Sequence, residues 1–351
     1  MAVNPATGQD QGQGLDLSWL DLYDDAASAT PSKKGMTLAD INLGRYAHEA
    51  RGSGDMTFRL RGAIPRPNAH RFGPNYQSKA DVWAENCLML YEEAVQRQWS
   101  SARDIPWDTL EPLPDDIERA MCQLCTMLTE VEFIAGDVPG QWLPFVSAQD
   151  YEAGLFLMTQ IMDEARHTDV FRKRALANGG GLLAQGAGLG LRTLIEARDF
   201  TEMSVLMHIQ AEGFVQSMFR MGELIGKTEA DKRIFRMSAQ DESRHLAFGV
   251  MHLKYVLDTE PERREEIHHY LDKAEGDAAG GGSGDVTFPP VFEALCILLG
   301  GGKDKFDEGV QKFLLLRKRQ VNEYLHRLEV AGLGDRRQRV GPLLRQFVDA
   351  A

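Results

Sequence analysis

Two nearly identical charged pentapeptides, DEARH and DESRH, lie in stretches whose other residues follow an apolar helical pattern. Because helix residues three apart share a face, Glu164 projects with His167, and Glu242 projects with His245. Each pair offers one carboxylate oxygen and one imidazole nitrogen. A single Glu-x-x-His pair would indicate a surface helix face. Two copies facing each other across a helical bundle would supply half of the ligands of two metal ions.

The remaining ligands are expected on the helix that precedes each pair. Glu132 lies 32 residues before Glu164, and Glu212 lies 30 residues before Glu242. This near-equal spacing fits two antiparallel hairpins that share one metal level. Both upstream glutamates lie among apolar residues, where metal ligation would offset the cost of burying a carboxylate. Carboxylates and imidazoles without thiolate favour iron or manganese over structural zinc. The predicted ligands are Glu132, Glu164, His167, Glu212, Glu242 and His245.

Pro139 complicates the prediction for the first ligand, because it follows Glu132 by only seven residues. If the helix ends there, the segment DVPGQWLPFVSAQD must climb in an extended path for Glu132 to meet Glu164. The alternative ligand is Glu130, which lies about 200° away from Glu132 around a helix, so both cannot face the metals. The spacing to the third and fourth ligands favours Glu132.

Other polar residues near the pairs are expected to support the metal site. A metal-bound imidazole usually donates its second N–H to a carboxylate, so Asp163 and Asp241 should each reach the histidine of the opposite helix. Arg166 and Arg244 either neutralise surplus carboxylate charge or lie on a solvated helix face. His208, one turn before the third ligand carboxylate, is an additional ligand, a supporting hydrogen-bond donor or a core histidine.

Composition limits the classes of function. The formal net charge of −13 and the pI near 5.2 argue against nucleic-acid binding, which needs a basic face, and against a membrane-surface role. We expect no signal peptide and no spanning helix, and therefore a cytoplasmic protein. The four cysteines do not form a disulfide framework. Cys122 and Cys125 form a CxxC within a helical pattern and are expected to be packed core thiols.

Helical periodicity dominates from Lys79 onward, which predicts an all-α protein. Four long helices, centred on residues 125, 163, 208 and 243, are predicted to form a four-helix core. The glycine-rich stretch 179–190 lacks the preceding strand of a dinucleotide-binding loop and is predicted to be a turn. One helical pattern then runs from residue 191 to Gly226. The predicted division is a flexible arm, a helical domain, a Gly-rich linker and a C-terminal helical cap, at 1–35, 36–274, 275–288 and 289–351.

Together with Glu132 and Glu212, the two pentapeptides resemble the ferritin-like dimetal-carboxylate superfamily. Within it, the chain is most similar to ribonucleotide reductase small subunits and their ligand-binding oxidase relatives. The segment LYEEAVQRQWSSARDIPWD followed by LCTMLTEVEFIAG also resembles that group, and the likeness covers roughly residues 80–260. The resemblance implies a ferritin-like four-helix bundle core with additional helices and two metal ions, Fe/Fe or Mn/Fe, with O₂ as co-substrate.

The chain departs from these relatives at several positions. Small subunits that store a tyrosyl radical carry a tyrosine where this chain has Phe171, and the sequence ends without a tyrosine-bearing tail. Ligand-binding oxidases cross-link a tyrosine to a valine at positions that are Met207 and Ala135 here. N-oxygenases of the superfamily carry an extra histidine ligand where this chain has Ser238. A stable radical subunit and a standard ligand-binding oxidase are therefore disfavoured.

The predicted function is a dimetal oxygenase or oxidase that activates O₂ to hydroxylate, desaturate or N-oxygenate a small organic substrate. A ferredoxin or a flavin reductase is expected to supply electrons. Trp99 and Trp107 correspond either to the electron-relay tryptophan of the reductase group or to packing anchors. Two alternatives remain: a reductase-type subunit with a manganese–iron cofactor and no tyrosyl radical, and an iron-storage bundle. We expect a homodimer without nucleic-acid or membrane partners.

Overall fold

The computed structural model describes residues 17–21, 28–31, 33, 36, 43, 82–143, 146, 151–185, 189–277 and 289–349. These residues form helices and no β-strand, which confirms the predicted all-α class. The helices are α1 (Cys87–Gln96), α2 (Asp115–Trp142), α3 (Tyr151–Ala177), α4 (Leu189–Ile195), α5 (Phe200–Ser204), a π-helix (Val205–Ala211), α6 (Glu212–Ile225), α7 (Glu229–Thr259), α8 (Arg264–Asp277), α9 (Pro289–Gly300), α10 (Phe306–Val330), α11 (Arg336–Arg339) and α12 (Pro342–Arg345). Short 3₁₀ turns lie at Ser18–Asp21, Trp107–Thr109, Pro261–Arg263 and Lys303–Lys305.

The core consists of two helical hairpins, as the four predicted long helices require. α2 packs along α3, and α6 packs along α7. α7 also contacts α3, which joins the two hairpins, and α1 covers α3 from outside. The buried interior is almost continuous along the bundle and includes aromatic side chains from three of these helices, namely Phe156, Phe171, Phe219, Phe235 and Phe248.

The first hairpin brings the two predicted glutamates to the same height. α2 continues through Pro139 to Trp142, so the predicted extended path is wrong for residues 137–142, and most of 144–150 lies outside the described residues. At 1.5 Å per residue, α2 rises roughly 15 Å beyond Glu132, and α3 returns by about 20 Å before Glu164. The helices approach closely at Gly136, where an added Cβ would lie 3.2 Å from Cβ of Glu164. The carboxylates therefore meet with both helices intact.

The third core helix is interrupted, which corrects the prediction of one helix from residue 191 to Gly226. α4 ends at Ile195, and Asp199 begins a new helix by accepting the backbone N–H of Glu202 at 2.8 Å. The hydroxyl of Tyr270 and the guanidinium of Arg263 hold the same Asp199 carboxylate. This capping competes with a continuous helix, because an N-cap residue adopts a non-helical backbone.

Further helices pack against the core. α9 lies against α2 and α10. Trp19, within the predicted N-terminal arm, is buried and donates its indole N–H to Glu293 of α9 at 2.5 Å. Glu275 of α8 is buried, and its carboxylate accepts hydrogen bonds from Tyr324 and Arg336 of the C-terminal helices. Residues 278–288 of the predicted linker and most of the predicted arm lie outside the described residues, so the domain division stays a prediction.

Within the described residues, no helix combines the length and the apolar character that crossing a membrane requires.

A buried ion-pair network fixes one end of the bundle and predicts a large stability effect. Arg174 of α3 is 1% exposed and pairs with Glu118 of α2 and Asp231 of α7. Arg174→Met would leave two buried carboxylates without a cation, so we expect a loss of about 3–5 kcal/mol in the free energy of unfolding. Urea denaturation of both proteins measures this loss in the free energy of unfolding. Lys254→Met, which breaks the exposed pair between Lys254 and Asp258 within α7, should cost less than about 1 kcal/mol. Equal losses in the two variants would contradict this account.

Candidate metal centre

The six side chains predicted as ligands converge between the four core helices, and each is at most 4% exposed. One comes from α2, two from α3, one from the first residue of α6 and two from α7. In chain order they are Glu132, Glu164, His167, Glu212, Glu242 and His245.

Their ligand atoms form two groups of four residues, and the atoms of each group lie within 4.8 Å of one another. Glu164 and Glu242 belong to both groups. Glu132 belongs only to the first group, which His167 completes. The second group adds Glu212 and His245 to the shared pair. The arrangement therefore offers two adjacent cation sites with two bridging carboxylates.

Individual distances agree with this division of the carboxylate oxygens. Glu164 places Oε2 at 3.3 Å from Nδ1 of His167 and Oε1 at 3.0 Å from Nδ1 of His245. Glu242 does the same with its two oxygens, at 3.3 Å and 3.5 Å. Each bridging carboxylate thus presents one oxygen to each group, and each imidazole points Nδ1 into the centre.

Seven of the buried ligand atoms of the cluster lack hydrogen-bond partners, which is costly for polar groups in a protein interior. Cations would satisfy these atoms, and the four carboxylates carry the charge that balances two divalent cations. The composition and geometry of the cluster therefore fit a pair of metal ions. The unpartnered atoms are Oε1 of Glu132, both oxygens of Glu164, Oε2 of Glu212, both oxygens of Glu242 and Nδ1 of His245.

The pKa shifts show that the cluster lacks positive charge. Burial and the neighbouring carboxylate of Glu164 raise the pKa of Glu132 well above its ordinary value. Burial also raises the pKa of Glu212. Burial alone would lower the pKa of His167, but hydrogen bonds to Asp241 and Glu132 outweigh it and raise that pKa. In metal-free protein, protons bound to these side chains would supply the positive charge that metal ions would otherwise provide.

The remaining charged residues of the pentapeptides form a buried, balanced layer behind the histidines. Nε2 of His167 lies 3.2 Å from Asp241, and Nε2 of His245 lies 3.4 Å from Asp163. Arg166 and Arg244 each contact both aspartates. Both arginines are buried, so they do not lie on a solvated helix face. Two guanidiniums balance two carboxylates, and each aspartate reaches the histidine of the opposite helix.

The two candidate tryptophans have different surroundings. Trp99 donates its indole N–H to Asp241 at 2.7 Å and stacks on His167 with ring centroids 6.4 Å apart. Trp107 instead donates to the backbone carbonyl of Ser101 at 2.7 Å and packs in the core. Only Trp99 is therefore connected to the cluster.

His208 lies outside both groups of ligand atoms in the described part of the chain. Its Nδ1 contacts Ser204 at 2.8 Å, and its Nε2 contacts Gln160 at 3.2 Å. Gln160 in turn donates to Glu212 at 3.0 Å. Sequence reasoning missed Gln160, although its position one turn before Glu164, on the same face of α3, could have indicated it.

Other candidates from the sequence lie elsewhere. Glu130 is buried but belongs to neither group. Phe171 lies between Phe219 and Phe235, with ring centroids 5.3 Å and 5.9 Å away, and offers no hydroxyl group there. Burial raises the pKa of the Cys125 thiol, and Cys122 is likewise a buried free thiol.

A narrow pocket opens onto one side of the cluster, and its empty space is about 310 Å³ when the open solvent at its mouth is included. Glu132, Glu212 and Glu242 supply its polar lining. The rest of the wall is apolar and consists of Val131, Ala135, Leu191, Leu194, Met207, Ala211 and Val215. Met207 and Ala135, at the two positions that ligand-binding oxidases cross-link, thus line the same cavity, with side chains that cannot form that cross-link.

No protein-family profile and no curated protein matches this sequence. Among solved structures, a variant of an R2-like ligand-binding oxidase with an aerobically reconstituted Mn/Fe cofactor is similar, with a TM-score of 0.53 and 18% identity over 71% of this chain and 97% of that chain. A second Mn/Fe variant has a TM-score of 0.51 and 16% identity, over 71% of this chain and 94% of that chain. A variant with an Fe/Fe cofactor has a TM-score of 0.50 and 17% identity, again over 71% of this chain and 94% of that chain. At these identities, the likeness shows that the chain has the ferritin-like, all-α fold of the R2-like ligand-binding oxidases.

Proposed function

We propose that this chain is a dimetal-carboxylate oxidase or oxygenase that holds Fe/Fe or Mn/Fe and uses O₂ to oxidise a small organic substrate. The observation that carries the proposal is the pair of buried four-residue groups that share Glu164 and Glu242. The fold supports it, because the similar solved structures contain Mn/Fe or Fe/Fe cofactors. When bound, such a metal pair supplies the electrons and the Lewis acidity that O₂ activation needs.

The residues around the cluster would orient the ligands and keep them in the right protonation state. With Nδ1 directed to the metals, each imidazole donates Nε2–H to an aspartate, which fixes its tautomer and ring orientation. Burial opposes ionisation of Asp241, but His167, Arg244 and Arg166 outweigh it and hold the pKa of Asp241 below its usual range. An ionised Asp241 is the acceptor that the His167 N–H requires.

The pocket favours an apolar substrate. Its wall consists of aliphatic side chains, and its polar lining is limited to carboxylates that the metals would occupy. An apolar group held there would place C–H bonds beside the metals, which supports hydroxylation or desaturation over N-oxygenation of a polar amine. A ferredoxin or flavin reductase as electron donor, a homodimer and a cytoplasmic location remain predictions.

Narrowing the pocket should separate substrate oxidation from metal binding. Ala135 lines the cavity, so Ala135→Leu is expected to lower substrate-dependent O₂ uptake about 10- to 100-fold while two ions per chain are retained. Uptake is measured with the apolar compound that stimulates the unmodified protein most. Ala165→Leu, the same substitution at an exposed site on α3, should leave uptake and metal content unchanged. If Ala135→Leu consumed O₂ as fast as the unmodified protein, this pocket would not be the substrate site.

The proposed function is tested by loading metal-free protein anaerobically with Fe(II), or with Mn(II) and Fe(II), and then adding O₂. We expect two ions per chain, O₂ consumption and a visible charge-transfer band. Protein that holds two ions but consumes no O₂ and develops no band would contradict the oxidase proposal. The alternative is a reductase-type subunit with a manganese–iron cofactor and no tyrosyl radical, and recovery of a large catalytic subunit in a pull-down would favour it.

A further inference from the structure

A chain of three buried hydrogen bonds runs from Ser204, the last residue of α5, through His208 of the π-helix to one of the predicted metal ligands. Ser204 contacts Nδ1 of His208 at 2.8 Å, Nε2 of His208 contacts Oε1 of Gln160 at 3.2 Å, and Nε2 of Gln160 donates to Oε1 of Glu212 at 3.0 Å. Ser204, His208 and Gln160 are fully buried, and Glu212 is 4% exposed. Water therefore does not compete for these partners.

The chemistry of the four groups fixes the direction of the chain. As a metal ligand, Glu212 is an ionised carboxylate and only accepts hydrogen bonds, so the amide nitrogen of Gln160 must face it. The amide oxygen then faces His208, whose Nε2 must carry the hydrogen. In a neutral imidazole, Nδ1 is then an acceptor, and the Ser204 hydroxyl donates to it. Burial and the nearby His245 lower the pKa of His208 well below its ordinary value, which agrees with a neutral ring.

Backbone geometry holds His208 in this position. The residue lies in the π-helix Val205–Ala211, a helix type that is rare and concentrated at functional sites. α7 passes so close that a Cβ added at Gly249 would lie 2.3 Å from Cβ of His208. The imidazole also packs edge-on against Phe248, with ring centroids 5.4 Å apart. The ring is therefore confined on several sides and cannot easily release Gln160.

The two groups of ligand atoms differ in the hydrogen bonds made by the glutamate that each group does not share. Glu212, in the second group, accepts a hydrogen bond from Gln160. Glu132, its counterpart in the first group, has one oxygen without a partner, and its other oxygen contacts His167. The chain from Ser204 therefore supports only the carboxylate that is unique to the second group.

We propose that His208 is a positioning residue for the second metal site, where it fixes the Gln160 amide so that this amide donates to Glu212 rather than rotating its oxygen toward it. The inference rests on the proposed metal centre. Loss of the imidazole N–H would leave the Gln160 oxygen buried without a donor, and the amide could then turn and oppose the carboxylate. Disturbed partners behind a metal ligand typically weaken metal affinity about 10- to 100-fold.

The test is a titration of metal-free protein with Mn(II), in which the electron paramagnetic resonance of free Mn(II) reports the ions that remain unbound. The unmodified protein should bind two ions per chain. His208→Leu should keep one ion at unchanged affinity and weaken the other about 10- to 100-fold. His208→Gln, whose amide can donate to Gln160 and accept from Ser204, should restore both ions to within a few-fold of the unmodified protein.

A double variant separates positioning from general packing. If His208 acts through Gln160, the combination of His208→Leu and Gln160→Met should bind metal no more weakly than Gln160→Met alone, whereas independent structural damage would add. The Gln160→Met comparison also serves if His208→Leu does not fold. Thermal melting of each metal-free protein shows which variants are folded.

The results of these titrations distinguish failure of the role of His208 from failure of the proposed metal centre. Two ions at unchanged affinity in His208→Leu would overturn this inference alone. Equal losses in His208→Leu and His208→Gln would overturn it as well, because they would indicate that the imidazole itself binds metal. An unmodified protein that binds no Mn(II) would overturn the proposed metal centre and, with it, the role of His208.

Discussion

Replacing Glu164 by glutamine is expected to abolish binding of both metal ions, whereas Glu132→Gln or Glu212→Gln should remove only one. The reason is the division of the carboxylates: Glu164 presents one oxygen to each group, and the other two glutamates belong to one group each. A neutral amide replaces an anionic oxygen donor in both sites at once. Glu242→Gln should behave like Glu164→Gln, because it is the other shared residue.

Metal analysis after dialysis measures this pattern as about two, one or no ions per chain. Glu130→Gln is the matched control: it changes a buried glutamate on the same helix that belongs to neither group, and it should retain two ions. It also tests the alternative that Glu130 rather than Glu132 is the ligand. If Glu164→Gln retained one ion at full affinity, the bridging arrangement would be contradicted.

Removing the metals should destabilise the fold. The metal-free cluster contains buried carboxylate oxygens without partners, and two of its carboxyl groups have raised pKa values. A ligand that binds only the folded state, present at 1,000 times its Kd, stabilises that state by about 4 kcal/mol per site. For a chain of this length, that corresponds to a rise in Tm on the order of 5 °C for one site and about 10 °C for two.

Differential scanning calorimetry with and without Mn(II) measures this shift. The variant with both Glu164→Gln and Glu242→Gln is the control. It should show no shift in Tm with Mn(II), because both carboxylates that the two groups share are lost. A Tm that is independent of metal in the unmodified protein would show that the cluster does not couple metal binding to folding.

Much of the candidate site could be predicted from the sequence because its information is local. The three-residue spacing of Glu164 and His167 places both on one helix face, and the second pentapeptide repeats that spacing in α7. The carboxylates on the preceding helices follow from bundle geometry, since adjacent antiparallel helices align residues at matching distances from their turn.

The features that the sequence did not reveal depend on tertiary contacts. Pro139 normally indicates a helix end, but α2 continues because it packs closely along α3 at Gly136. The π-helix lies where α7 approaches closely, at Gly249, far along the chain. Trp99 and Trp107 are the same residue type in one segment, and only the hydrogen bond to Asp241, 142 residues away, distinguishes them.

The most direct test is anomalous diffraction at the iron and manganese edges from crystals of protein loaded with both metals. We expect two peaks about 3.5–4 Å apart. Glu164 and Glu242 should contact both peaks, and His167 and His245 should each contact one. A single peak, or peaks bound by other residues, would contradict the claim that these four helices hold a carboxylate-bridged metal pair.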